Sequence, residues 1–250
     1  MARIVDEFLT PAFKAKIAEV RDMEASRNHQ SEMYKKPLQS KRKKVLKELI
    51  SKYSKNKHFI EVGCAEGYFC NYALKQNALS STGVEIAEKK IKIAQKRFPK
   101  CIFKKLDIFD VETLEHKYDI VLCSEVLQHL VDYETAILKL IEIIHPRGYL
   151  IISVPNLSNS DRHKFAKISA EMGPYELLQE IGGARFGRQN ALWKFNSLKL
   201  SEEIVQNYPL SLIDRRKIGA APLENQTKEQ AKNIFTILIF KHFSSKSHSI

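Results

Sequence analysis

From His58 to Asn156 short β-rich runs alternate with stretches of helical period, and few architectures accept that alternation. The runs 58–62, 81–85, 101–106, 118–123 and 149–154 read as strands. Between the last two, Tyr133, Ala136, Ile137, Leu140, Ile141 and Ile144 recur at steps of three and four residues. This spacing predicts a helix with one buried face, stopped by Pro146-Arg147-Gly148. Strand, helix and parallel strand make the βαβ unit, and stacked units build a parallel sheet with helices packed on it.

The flanks extend this pattern. Val5, Phe8, Leu9, Phe13, Ile17 and Val20 mark a first amphipathic helix, and Ser40 to Tyr53 a second, so residues 1–57 read as a helical N-terminal extension. Residues 157–196 break the βα rhythm with Gly173-Pro174, Gly182-Gly183 and Gly187. An insertion at that point lies over the C-terminal edge of the sheet, where ligands of open α/β folds bind. A helix near 197–207 and two strand-like runs, Leu212 to Ile218 and Phe235 to Phe240, complete a domain spanning 58–243. Residues 244–250 read as a disordered Ser/Lys/His tail.

Composition excludes several classes. At 44% hydrophobic and 28% charged residues, the 250-residue chain is neither disordered nor collagen-like. Its longest apolar run, Phe235 to Phe240, is interrupted by Thr236 and falls far short of the ~20 residues of a membrane span. The N-terminus carries acids where a signal peptide needs an apolar core, which points to the cytoplasm. Cys64, Cys70, Cys101 and Cys123 lack CxxC spacing and read as reduced core thiols.

The net charge of +12 is unevenly spread: residues 1–57 carry +8, 58–156 carry −1 and 157–250 carry +5. The densest cluster is Lys41-Arg42-Lys43-Lys44, continued by Lys47, Lys52, Lys55 and Lys57. It suits either a surface for nucleic acid or an acidic substrate, or a solvated helix face, since Leu46, Leu49 and Ile50 interleave at helical spacing.

The sharpest local signal is Phe59-Ile60-Glu61-Val62-Gly63-Cys64-Ala65-Glu66-Gly67-Tyr68-Phe69, a strand, a glycine-spaced turn and a helix. Gly63 and Gly67 let the backbone turn tightly and approach a ligand where a Cβ would intrude. Thr82-Gly83-Val84-Glu85 then places a carboxylate at the end of the second strand, where its two oxygens can accept hydrogen bonds from both hydroxyls of a ribose.

With these residues the chain resembles the class I S-adenosylmethionine-dependent methyltransferases, closely over 58–156 and loosely in the flanks. Glu61 to Gly67 is similar to that family's [DE]-x-G-x-G-x-G loop, with Ala65 in place of the middle glycine. The resemblance implies an α/β, Rossmann-like, seven-stranded and mostly parallel sheet closed by a C-terminal antiparallel hairpin, with S-adenosyl-L-methionine as cofactor. It implies that Glu61, Gly63, Cys64, Ala65 and Gly67 border the methionine and ribose portion, and Glu85 with Ile86 the ribose hydroxyls. By the same resemblance Asp107 accepts from the adenine amino group beside Ile108, and Ser124 and Glu125 flank the methionine moiety. A hydride-transferring dinucleotide enzyme would leave Asp107 and the last two strands unexplained.

Methyl transfer needs in-line approach of a nucleophile to the sulfonium methyl and a route for the departing proton. His129, in Ser124-Glu125-Val126-Leu127-Gln128-His129-Leu130, has the chemistry of a general base at neutral pH. A histidine packed on the cofactor loop is the other reading. The stretch is similar to the E-x-x-E-H of ubiquinone-pathway O-methyltransferases and small-RNA 2′-O-methyltransferases, in which carboxylates and His are implicated in binding a divalent metal. Gln128 replaces the second Glu, removing an anionic ligand, so no metal is expected.

Arg162, His163, Tyr175, Arg185, Phe186, Arg188, Trp193 and Phe195 place the acceptor region in the insertion, and Tyr34 is a candidate cover for the cofactor. The resulting expectation is an enzyme that methylates oxygen or nitrogen of a small molecule such as a sugar, lipid precursor or secondary metabolite, with an anionic acceptor suggested by the charge. The rivals are an RNA methyltransferase acting on a 3′ end or a tRNA, and a non-catalytic methyltransferase-like binding protein.

Overall fold

A computed structural model describes residues 10–25, 32, 34–130, 132–156, 164–165, 193–219 and 233–243. Helices α1 (Pro11–Ala25) and α2 (Pro37–Tyr53) precede the sheet. They are followed by β1 (His58–Val62), α3 (Tyr68–Lys75), β2 (Ser80–Glu85), α4 (Glu88–Arg97) and β3 (Ile102–Lys105). A 3-10 turn (Ile108–Thr113), β4 (Tyr118–Ser124), a second 3-10 turn (Leu127–His129), α5 (Tyr133–Glu142) and β5 (Ile144–Pro155) come next. The chain continues through β6 (Lys164–Phe165), β7 (Trp193–Lys194), α6 (Ser197–Asn207), β8 (Leu210–Gly219) and β9 (Asn233–His242).

Seven strands form one sheet in the order β3-β2-β1-β4-β5-β9-β8. The first five are mutually parallel, while β9 runs antiparallel to both β5 and β8. The expected mostly parallel sheet with an antiparallel hairpin is therefore the observed fold. Strand order reverses between β1 and β4, and such a switch point is where open α/β sheets bind their ligands.

Each face of the sheet is covered by its own apolar cluster. One joins Ile60, Val62, Val121 and Ile152 to α5 and α6 through Ile137, Leu140, Leu200 and Ile204. The other joins Phe59, Ile120, Leu122 and Ile151 to α2 and α3 through Leu46, Leu49, Ile50 and Phe69. Strand residues alternate between the two, as the two-residue period of a strand requires. Helix starts are locally encoded: Asp132 accepts from Thr135 N, Asn196 accepts from Leu198 N and Lys199 N, and Pro37 sits in the first turn of α2, where a missing N–H leaves no bond unmade.

The expected helix through Ile144 is shorter. It ends at Glu142, and Ile144 already pairs with Tyr118 as the start of β5. The Pro146-Arg147-Gly148 stop lies inside a bulged strand, where the register shifts and Arg147 adopts φ 68°. Gly148 has no space for a Cβ, which would stand 2.8 Å from Asp119 O and from His145 O. The first expected helix is present from Pro11 onward; Val5, Phe8 and Leu9 lie outside the described residues, as does the 244–250 tail. All four cysteines are buried and unpaired, and burial pushes their thiol pKa values up, Cys101 to about 11. No helix among the described residues is long and apolar enough to cross a membrane.

Candidate functional site

Because β1 to β5 are parallel, their C-terminal ends share one edge, and the residues singled out in the sequence follow those ends. The turn after β1 depends on left-handed backbone at three places: Gly63 and Gly67 at φ 77°, and Ala65 at φ 47°. The glycines are required by the protein itself. A Cβ on Gly63 would lie 2.3 Å from Val126 Cγ2, and one on Gly67 2.4 Å from the Phe103 ring. The turn after β1 thus packs against the turn after β4 and against β3. Ala65 occupies a conformation that disfavours a Cβ by about 1–2 kcal/mol, partly offset by the ~0.5–1 kcal/mol of chain entropy that glycine loses on folding. Ala65→Gly is expected to stabilise the fold by about 0.5 kcal/mol, read from urea denaturation.

Glu85, at the end of β2, reaches into this turn. Its Oε2 accepts from Ala65 N at 3.0 Å and its Oε1 from Ala87 N at 3.2 Å. Each oxygen keeps acceptor capacity for one further donor. Ile86 follows it and is half-buried. Asp107 caps the 3-10 turn after β3 by accepting from Phe109 N at 3.1 Å, and Ile108 beside it is buried. Burial raises the Asp107 carboxyl pKa, with that N–H and Lys14 of α1 opposing. Lys14 Nζ also lies 2.7 Å from Asp110 Oδ1, so α1 is tied to this corner.

Glu61 and Cys64 are fully within the protein. Glu61 is 2% exposed, and desolvation raises its pKa to about 8, opposed by a hydrogen bond from Cys70 Sγ and by Arg42. Cys64 lies within the turn, its N–H donating to Val84 O at 3.0 Å.

At the end of β4, Ser124 and Glu125 are joined by a residue of the basic cluster on α2. Arg42 of α2 is 3% exposed; its Nη1 donates to Ser124 Oγ at 2.7 Å and lies 3.7 Å from Glu125 Oε1. Its Nε donates to Gln39 Oε1 at 2.9 Å. Lys41 and Lys44 are exposed, whereas Lys43 Nζ stands 5.3 Å from the Tyr34 ring centroid and Lys47 Nζ 4.5 Å from that of Tyr72. The one available sequence signal was helical phase, since Arg42 precedes Leu46 and Leu49 by four and seven residues.

Gln128 is 4% exposed, donates from Nε2 to Glu125 Oε2 at 3.3 Å, and its Oε1 has no partner among the described residues. A buried carbonyl oxygen left without a donor is uncommon and is one position where a ligand N–H or O–H fits. His129 closes the same 3-10 turn, half-buried, with its N–H donating to Val126 O at 2.9 Å. Among the described residues no group of three or more His, Cys, Asp or Glu could hold a metal ion.

Tyr34 is buried against Tyr68 and Phe69, with ring centroids 5.3 and 5.7 Å away, beside the glycine turn. Of the aromatic and basic residues expected in the insertion, Phe195 is in the core, edge-on to Tyr133 at 5.1 Å. Trp193 lies on β7, which pairs with β6. Arg162, His163, Tyr175, Arg185, Phe186 and Arg188 lie outside the described residues.

This sheet order, with a glycine turn after β1 and acids closing β2 and following β3, defines the class I methyltransferase fold. A family model described as a methyltransferase domain matches residues 38–191, and the chain belongs to that family. Ubiquinone biosynthesis O-methyltransferase of Bordetella avium is 30% identical over 117 residues, 45% of this chain and 48% of that protein. Trans-aconitate 2-methyltransferase of Yersinia pestis is 28% identical over 104 residues, 41% of this chain and 40% of that protein. The chain thus spans about half the length of the curated relatives it matches. In fold it is similar to the N-methyltransferase NodS of Bradyrhizobium japonicum, crystallised with S-adenosyl-L-homocysteine, at TM-score 0.63 and 15% identity, over 92% of this chain and 98% of that one. It is also similar to magnesium protoporphyrin IX methyltransferase of Synechocystis, at TM-score 0.56 and 16% identity, over 97% of this chain and 100% of that one.

Proposed function

We propose that the chain transfers a methyl group from S-adenosyl-L-methionine to oxygen or nitrogen of a small-molecule acceptor, acting in the cytoplasm. The observation that carries this reading is the pair Glu85 and Asp107, on adjacent strand ends, each with acceptor capacity left after its backbone bond. Such spacing suits a nucleoside: hydroxyls at Glu85, an exocyclic amine at Asp107, and apolar contact from Ile86 and Ile108. Ser124 and Glu125, with Gly63, Ala65 and Gly67, border the amino-acid end. When bound, the cofactor supplies an electrophilic sulfonium methyl. The protein's part is to orient the two reactants and to take up a proton, for which His129 is the candidate base.

The names of the curated relatives support a small acceptor and favour oxygen; one is named for trans-aconitate, which accords with an anionic acceptor. In isothermal titration, S-adenosylhomocysteine is expected to bind at micromolar affinity, with Glu85→Ala and Asp107→Ala each at least tenfold weaker. Wild-type affinity in both variants would overturn these roles.

RNA as the acceptor is favoured by one observation, the exposed lysines of α2 flanking tyrosine-capped ones. Filter binding of a short single-stranded RNA that weakens steeply with salt would support it.

A further inference from the structure

A guanidinium cannot discharge itself by losing a proton, so an arginine at 3% exposure must be held by partners. Those of Arg42 come from three places in the chain: Gln39 on its own helix, Ser124 and Glu125 at the end of β4, and the ring of Phe235 on β9, 5.6 Å away. Glu125, in turn, is bent into the left-handed region at φ 61°, where a side chain of its size rarely rests. Three further bonds hold it there. Its N–H donates to Ser153 O at 2.9 Å, and its carboxylate accepts from Ser153 Oγ at 2.8 Å and from Gln128 Nε2 at 3.3 Å. The next residue is Val126, whose Cγ2 fills the space that a Cβ on Gly63 would need.

We propose that Arg42 is a positioning residue of the methyl-transfer site: by gripping Ser124 and Glu125 it fixes the left-handed turn that seats Val126 over Gly63. The helix α2 is thereby a working part of the cofactor edge. The proposal rests on the methyltransferase reading for its function, and on geometry alone for the turn.

The groups facing the Glu125 carboxylate are Arg42 from α2, Ser153 from β5, Gln128 from its own turn and the Cys123 thiol of β4. Among the described residues Arg42 is the one cation of this set, and it opposes the rise in carboxyl pKa that burial causes. Without it, Glu125 must either protonate or leave the turn. Lysine cannot substitute fully, because one point charge cannot reach Gln39 and Ser124 together as the planar fork does.

Two measurements on the full chain test this. Hydrogen exchange of the 124–130 segment is expected to quicken at least tenfold in Arg42→Met, with α4 and β2 unchanged; unchanged exchange at 124–130 overturns the proposal whatever the cofactor does. Titration of S-adenosylhomocysteine is expected to weaken 10–100-fold in Arg42→Met, to recover partly in Arg42→Lys, and to recover partly in Arg42→Met combined with Glu125→Gln. Strict additivity of the two substitutions, or full-strength binding by folded Arg42→Met, also overturns it. If Arg42→Met fails to fold, Arg42→Lys carries the exchange measurement, with a smaller quickening expected. A wild-type chain that binds no S-adenosylhomocysteine refutes the methyltransferase reading and leaves the exchange result to decide the role of Arg42.

Discussion

Gly63→Ala is expected to destabilise the fold by about 3–5 kcal/mol and to remove cofactor binding altogether. Two effects combine at this residue. The backbone holds φ 77°, which an L side chain adopts at a cost of about 1–2 kcal/mol. The new methyl would also stand 2.3 Å from Val126 Cγ2, and the half-buried valine, packed against the apolar cluster under β4 and β5, would have to shift to admit it. For a chain of this size the loss amounts to a fall in melting temperature of about 10 °C. Adding Val126→Ala removes Cγ2 and leaves the φ penalty, so the double variant should regain about half of the lost stability. A Gly63→Ala protein melting within 2 °C of wild type would show that the two turns can separate, and the account of the site would fail with it.

Glu61→Gln is expected to act in the opposite direction, and only at high pH. The Glu61 carboxyl is 2% exposed, and burial raises its pKa from 4.5 to about 8. Between those values the folded state holds a proton that the unfolded chain has released, so stability falls as pH rises through the window from about 4.5 to about 8. Above the window the ionised group opposes folding by up to roughly 5 kcal/mol. Glutamine carries no such charge. The variant should therefore match wild type near pH 5, gain on it steadily, and exceed it by several kcal/mol at pH 9 in denaturant melts. A stability difference independent of pH would mean that Glu61 is ionised throughout, with Arg42 offsetting its burial.

Much of the candidate site is legible in the amino-acid sequence. Gly63 and Gly67 mark positive-φ backbone, Glu85 closes β2, Asp107 follows β3, and Ser124 and Glu125 stand at the end of β4, because each of these is a local rule: one residue, one backbone demand or one chain position. The misreadings were of another kind. Pro146-Arg147-Gly148 looked like a helix stop and lies in a strand bulge, since pairing of Ile144 with Tyr118 outweighed the helical period. Phe195 looked like part of an acceptor region and packs on Tyr133. Arg42 looked like one member of a solvated basic run.

By itself the sequence determined the parallel βα succession and the acids and glycines at its strand ends, since hydrophobic period and backbone restriction act over a few residues. Only the tertiary structure decided that Arg42 turns inward to Ser124 and Glu125, 82 and 83 positions further along, while its neighbour Lys41 meets water. The reason is physical: a buried charge is tolerated only where folding brings it partners, and no local pattern states which partners those will be.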